Sequence, residues 1–298
     1  MVSLSDTQVQ LIEIVMPEHA NTLGILHGGQ MMGWLIMAGA LTAMRVAKGP
    51  IVLGAVDDVA FLTPVQVHEI VLLDAQVEHM GHSSMEVGVQ AVAEHPETGE
   101  RNLTTSCNMS FVAVDDQGRP RPIPTEVVPN GDQENAIQEA AESRREVRQN
   151  RLTSRHLRGA DIEDLQSPLG WRVESVRSVL PEETIHSNLM FGGRLLKHID
   201  ELGAILCRRY SKGVCVTASL DALEFYRPIR VGDILVMQAA LMHIGRTSLR
   251  IGVKVLVERP WEGKVEHACT SFLTYVHIGK DRRPQPVPKH MPEGSGAG

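Results

Sequence analysis

Residues 21–47 read NTLGILHGGQMMGWLIMAGALTAMRVA, and 164 positions further on residues 185–211 read IHSNLMFGGRLLKHIDELGAILCRRYS. Gly28-Gly29 recurs as Gly192-Gly193, and the same spacing carries Pro17-Glu18 onto Pro181-Glu182, Asp57 onto Asp221, Phe61 onto Phe225 and Gly81 onto Gly245. Pro120, Pro122 and Pro124 meet Pro284, Pro286 and Pro288 in the same register, with no gap. About a quarter of the aligned positions are identical over roughly 115 residues, far above what unrelated segments give in one ungapped alignment. The chain is therefore read as two copies of one unit.

Each copy repeats one order of elements. A strand is expected at 9–15 and at 173–179, then a loop, then a Gly-Gly pair opening an apolar helix, 29–47 and 193–211, that stops at Lys48-Gly49 and Lys212-Gly213. Four strands follow, at 51–61, 70–79, 84–94 and 102–114 in the first copy and at 214–225, 234–243, 248–258 and 266–278 in the second. The first helix carries no charge from position 30 to 44, so it needs apolar neighbours on nearly every side. A curved sheet wrapped around it supplies them. The class expected is α+β, with domains at 1–125 and 168–291, a polar linker at 126–167 and a Gly-rich tail at 292–298. Residues 134–150 read as a solvated helix with few apolar positions to dock it.

Composition narrows the function. Among 298 residues, 29 Lys and Arg stand against 36 Asp and Glu, a formal charge of −7, so no diffuse positive field exists to hold nucleic acid. The uncharged helical stretch at 30–44, about 15 residues, falls short of the roughly 18 needed for a membrane span. The four cysteines form no C-x-x-C pair or dense framework, and the N-terminus has no basic segment followed by an apolar one, so a reducing cytoplasmic setting is expected. The sequence contains no Walker A loop, dinucleotide fingerprint, H-E-x-x-H or G-x-S-x-G. No cofactor or metal is expected.

The pattern N-x-x-G-x-x-x-G-G at Asn21, Gly24, Gly28 and Gly29 resembles the signature of hotdog acyl-CoA thioesterases. The phrases VDDVAFLTPV (56–65), GHSSMEV (81–87) and FVAVDDQGRPRPIP (111–124) resemble the sheet of that family, and the duplication resembles its double-hotdog cytosolic acyl-CoA thioester hydrolases. The resemblance implies two tandem hotdog domains packed as a pseudo-dimer, acyl-CoA as substrate and CoA as product. It also implies a homo-oligomer, at its fullest a trimer of two-repeat chains. Three catalytic elements are implied: an amide before the helix, a glycine N–H at the helix start, and a carboxylate two turns in, with amide and carboxylate from opposite hotdogs. Asn21 and Gly28 hold the first two positions in copy one, and Asp200 holds the third in copy two. The reciprocal positions are Ile185 and Ile36, which cannot activate water. One competent site per chain is the expectation.

The residues support these roles physically. The first N–H groups of a helix lack intrahelical partners and carry partial positive charge, which suits an oxygen turning negative. Leu195, Leu196, Ile199, Leu202, Gly203 and Leu206 form one apolar arc, and Asp200 lies at its margin. A carboxylate there loses hydration, which raises its pKa and suits it to act as base or nucleophile. By resemblance Gly29, His82, Ser83, Ser84, Arg246 and Ser248 are expected to contact the ligand, although the two Gly-x-x-Ser segments also read as plain hairpin turns. His27, whose counterpart is Phe191, reads as a packing residue, and Asp57 and Asp221 as residues that bond within the sheet. Two other readings keep the fold: a hydratase or dehydratase of acyl thioesters, which would pair a His with a carboxylate, and a non-catalytic acyl-CoA-binding module.

Overall fold

The structure, a computed structural model, describes residues 1–157, 165, 168–186 and 188–288. The tail at 292–298 and most of the linker's far end lie outside the described residues. The first copy supplies β1 (Val9–Ile14), α1 (Gly28–Ala47), β2 (Ile51–Val56), β3 (Val59–Ala60), β4 (Ile70–Met80), β5 (Ser84–Glu94) and β6 (Arg101–Ala113). After the linker helix α2 (Asp132–Leu157), the second copy supplies β7 (Arg172–Ser178), a small hairpin of β8 (Thr184–His186) and β9 (Leu189–Met190), and α3 (Gly192–Ser211). It closes with β10 (Val214–Leu220), β11 (Leu223–Glu224), β12 (Ile234–Ile244), β13 (Ser248–Arg259) and β14 (Lys264–Ile278). Each copy is an antiparallel sheet packed around one long helix, the tandem hotdog arrangement. Among the described residues no helix is long and apolar enough to cross a membrane.

The strands expected at 51–61 and 214–225 are each broken in two, and the fragments part company. The sheets run β1-β4-β5-β6-β2-β11 and β7-β12-β13-β14-β10-β3, so each ends on a two-residue strand from the other copy. Leu223 pairs with Val56 and Glu224 with Ala55, while Val59 pairs with Leu220 and Ala60 with Ser219. Hydrogen bonds from Phe61 N–H to the Ala218 carbonyl (2.9 Å) and from Phe225 N–H to the Gly54 carbonyl (3.0 Å) extend both crossings. At the bend, Asp58 accepts the Ala222 N–H at 2.7 Å.

The helices begin at Gly28 and Gly192, one residue earlier than the sequence suggested, and end where Lys48 and Lys212 turn left-handed, with φ of 52° and 54°. α1 buries Met32, Leu35, Ile36 and Ala40 against β4, β5, β6 and α3, in keeping with its uncharged length. α3 is amphipathic and buries Leu195, Leu196, Ile199, Leu202 and Leu206. Added side-chain atoms at Gly29 would meet Lys197 and Asp200, and one at Gly193 would lie 3.2 Å from the Gly33 Cα. The helices thus run antiparallel with their N-terminal halves side by side.

α2 is docked, contrary to the solvated reading, with Ala141 buried and most of the contact made by charge. The Arg148 guanidinium, 5% exposed, donates to both oxygens of Glu86 at 2.9 Å and to Asp57 at 3.0 and 3.1 Å. Arg144 pairs with Glu78, and Arg151 reaches Glu224 of β11 at 3.3 Å. The Asp57 N–H bonds within its sheet, to the Asn108 carbonyl at 2.9 Å, but its carboxylate bonds to the linker helix, while Asp221 pairs with Arg250 of β13. Because removing one partner strands the remaining buried charges, Arg148→Ala is expected to lower unfolding free energy by about 3–5 kcal/mol in urea titration. A loss below about 1 kcal/mol, typical of exposed pairs, would show that the network does not hold the helix.

Candidate active site

Asp200 sits in the third turn of α3, 2% exposed, with its carboxylate facing the first turn of α1. Gly29 N–H donates to Oδ2 at 2.7 Å, and the Thr217 hydroxyl of β10 donates to Oδ1 at 2.6 Å. Tyr275 of β14, itself buried, places its hydroxyl 2.9 Å from the Asp200 carbonyl and 3.2 Å from Oδ1. Burial raises the Asp200 carboxyl above its ordinary range, opposed by the hydrogen bonds from Thr217 and Gly29, by the charge of His27 and by Tyr275. Burial likewise pushes the Tyr275 phenol well up, so it stays a donor.

The glycines make this approach possible. A Cβ on Gly28 would lie 2.5 Å from the Thr217 Cβ, and one on Gly29 would lie 2.9 Å from the Asp200 Cβ. Both are shorter than non-bonded carbon atoms tolerate without displacement. The Gly29 N–H is committed to the carboxylate. Gly28 opens the helix, where an N–H has no intrahelical acceptor.

Asn21 reaches the same place through its turn. Its side-chain oxygen accepts the N–H groups of Leu23 (2.9 Å) and Ile25 (3.2 Å), with Gly24 at φ +73° completing the bend. The amide nitrogen is left over. In the second copy Asn188 takes the left-handed position of Gly24, with φ 57°, which accounts for an asparagine there that is not the equivalent of Asn21.

Two cavities flank this junction. One, of about 380 Å³, is lined by Asn21, His27, Gly29, Gln30, Lys197, Asp200 and Cys215 among others. The other, of about 280 Å³, is lined by Gly28, Met31, Phe61, Pro64, Thr217 and Arg282 among others. Asn21, Gly29 and Asp200 are thus brought together, and Gly28 faces the second cavity. His27 is exposed on the first cavity, so the packing reading fails for it. His82, Ser83, Ser84, Arg246 and Ser248 line neither cavity. They belong to hairpin turns, with Gly81 N–H bonded to the Ser84 carbonyl and Gly245 N–H to the Ser248 carbonyl, both at 2.8 Å. Among the described residues no group of three or more His, Cys, Asp or Glu side chains is placed to hold a metal ion.

The sequence reading missed Thr217 and Tyr275. The signal was present in the internal spacing, because their counterparts are Leu53 and Phe111, just as the counterpart of Asp200 is Ile36. Three polar groups that meet in one half are apolar together in the other. Leu53 lies against Gly192 as Thr217 lies against Gly28, and the Phe111 ring against Gly39 as the Tyr275 ring against Gly203.

Comparison with known proteins follows the same division. The thioesterase superfamily profile matches residues 23–100 and 187–260. The chain is 28% identical over 298 aligned residues to acyl-coenzyme A thioesterase 11 of Mus musculus, covering 96% of this chain and 50% of that relative. It thus spans about half the length of that curated relative. It is 35% identical over 122 residues, 41% of this chain and 71% of the relative, to the uncharacterized acyl-CoA thioester hydrolase YkhA of Bacillus subtilis. An acyl-ACP thioesterase structure from Bacteroides thetaiotaomicron matches with a TM-score of 0.55 at 12% identity, covering 92% of this chain and 100% of that one, a likeness of fold alone.

The raised Asp200 pKa has a consequence for stability. A carboxyl whose pKa is higher folded than unfolded contributes stability that is present below the unfolded value and lost as pH rises through the folded one. Asp200→Asn cannot ionise, so its Tm is expected to equal or exceed that of the wild type at neutral pH, with the gap closing in acid. A lower Tm for the variant at neutral pH would show that the site favours the anion.

Proposed function

The chain belongs to the thioesterase superfamily, and from that membership we propose that it hydrolyses acyl-CoA to a carboxylic acid and CoA at one site per chain, between the two copies. The observation that carries the reading is the Asp200 carboxylate of one copy hydrogen-bonded to the helix start of the other, in a cavity it shares with Asn21. Its mirror position holds only Ile36, Leu53 and Phe111. Cytosolic placement and assembly into a homo-oligomer, three chains in its fullest form, belong to the same proposal.

A thioester has two arms, and the junction has two cavities. With the carbonyl between Gly28 and Asp200, one arm enters each. The Gly28 N–H, at the positive end of α1, faces the carbonyl oxygen and stabilises the charge that develops on it. Asn21 orients the water or the carbonyl with its uncommitted amide. Asp200 takes the proton of the attacking water, the C–S bond breaks as the tetrahedral adduct collapses, and the proton returns to the departing CoA sulfur. Direct attack by the carboxylate on the acyl carbon would break the C–S bond, release the CoA thiolate and give an anhydride that water then opens. Thr217 and Tyr275 hold the carboxylate in place for either route. His27 on the same cavity supports one second reading, hydration of an enoyl thioester by a His and carboxylate pair.

Thiol release from a panel of acyl-CoA esters tests the proposal. Asp200→Asn and Asn21→Ala are each expected to lower kcat/KM by about 100-fold or more. Near-native turnover in both would sink it, and loss of a double bond with the thioester intact would establish the hydratase reading. Because the working form is the anion, kcat/KM is expected to fall as pH drops through the raised Asp200 pKa, at higher pH than an ordinary carboxylate would give. Activity that is flat across that range would remove Asp200 as the base.

A further inference from the structure

The second half has lost the chemistry of the site but not its shape. A cavity of about 280 Å³, equal in volume to the one beside Gly28, lies beside Gly192. Under the 164-residue spacing, all but one of the residues lining either cavity correspond to residues lining the other. Phe225 stands for Phe61, Pro228 for Pro64 and Gly192 for Gly28. The apolar positions exchange one aliphatic side chain for another, as Leu195 for Met31 and Ile229 for Val65, whereas the polar wall residue Thr217 is replaced by Leu53, with Ile36 and Phe111 behind it.

Charge has been kept at both cavities by different means. Arg282 is the sole charged residue lining the cavity beside Gly28, and its counterpart is Gly118. Among the described residues Arg227 is the one charged side chain lining the cavity beside Gly192; its Nε is paired with Glu266 at 3.1 Å while its side chain remains largely exposed, and its counterpart is Thr63. The 380 Å³ cavity, by contrast, sets Lys197 and Arg208 against Glu18, Glu201 and Asp200. In a chain of net charge −7, each of the two smaller cavities therefore offers an apolar trough with one guanidinium. That suits a ligand with an uncharged arm and an anionic phosphate end.

The far side of Gly193 is closed. A Cβ there would lie 2.6 Å from the Phe191 ring, which takes the place held by the exposed His27 in the other copy. The ligand's arm can run up to the helix start but not past it. We infer that the cavity beside Gly192 is a second, non-hydrolysing site that takes the CoA moiety in its free thiol form, while the site beside Gly28 takes the acyl thioester. This rests on the thioesterase reading, and it gives the product a place on the chain apart from the place of turnover.

Equilibrium binding to the full chain tests it, with free CoA and a long-chain alkyl-CoA thioether as probes. Two CoA molecules and one thioether are expected per chain. Arg227→Glu and the cavity-filling Val52→Trp are each expected to weaken one of the two CoA sites by about tenfold or more while kcat/KM stays within about twofold, and turnover itself reports that these variants fold. One CoA per chain with normal hydrolysis, or two CoA sites indifferent to both substitutions, overturns this inference and leaves the thioesterase reading standing. Absence of CoA binding together with absence of thiol release overturns both.

Discussion

The approach of α1 and α3 at their N-terminal halves is the constraint on which the rest depends. Backbone meets side chain there without a spacer, so Gly28 and Gly29 can carry no Cβ, and α3 together with β10 decides what the helix start touches. In one half the contact is a carboxylate satisfied by three donors, and in the other it is aliphatic. An unpaired carboxylate so deeply buried would be costly, which explains why Asp200, Thr217 and Tyr275 occur as a set and are absent as a set. A single reversion among Ile36, Leu53 and Phe111 would bury a polar group without partners. The asymmetry is held by the packing on both sides.

Much of this was legible in the sequence, because duplication turns one chain into its own comparison. The order of elements and the two helices follow from one constant spacing, and the expected pairing of Asn21 with Asp200 from the resemblance to hotdog acyl-CoA thioesterases. What failed has physical causes. A run of β-formers such as 51–61 gives no sign that it changes sheets at Asp57-Asp58, since both fragments keep extended backbone. Thr217 and Tyr275 looked like ordinary strand residues because their significance lies in what crosses the interior to meet them. His27 and its counterpart Phe191 share a position but not a surrounding, so the ring in one half misled about the other.

The linker helix was misread for another reason. Apolar periodicity is the usual guide to docking, and α2 has little of it. Its partner surface is charged as well, with Asp57, Glu78 and Glu86 presented on the outer face of the first sheet. Arg148 lies between two carboxylates, and Arg151 extends the network to Glu224 in the other copy. α2 is therefore part of the folded body, tied to the first copy and, through Glu224, to the second.

The exchange of β3 and β11 also bears on how the molecule is made. When a ribosome has delivered the first unit, β2 still lacks its outer neighbour, because Leu223 and Glu224 have not been synthesised. The nascent sheet must wait with one border unpaired, a state prone to association with other chains. Tethering the missing piece on the same polypeptide makes its arrival a matter of translation time, independent of the concentration of any other molecule.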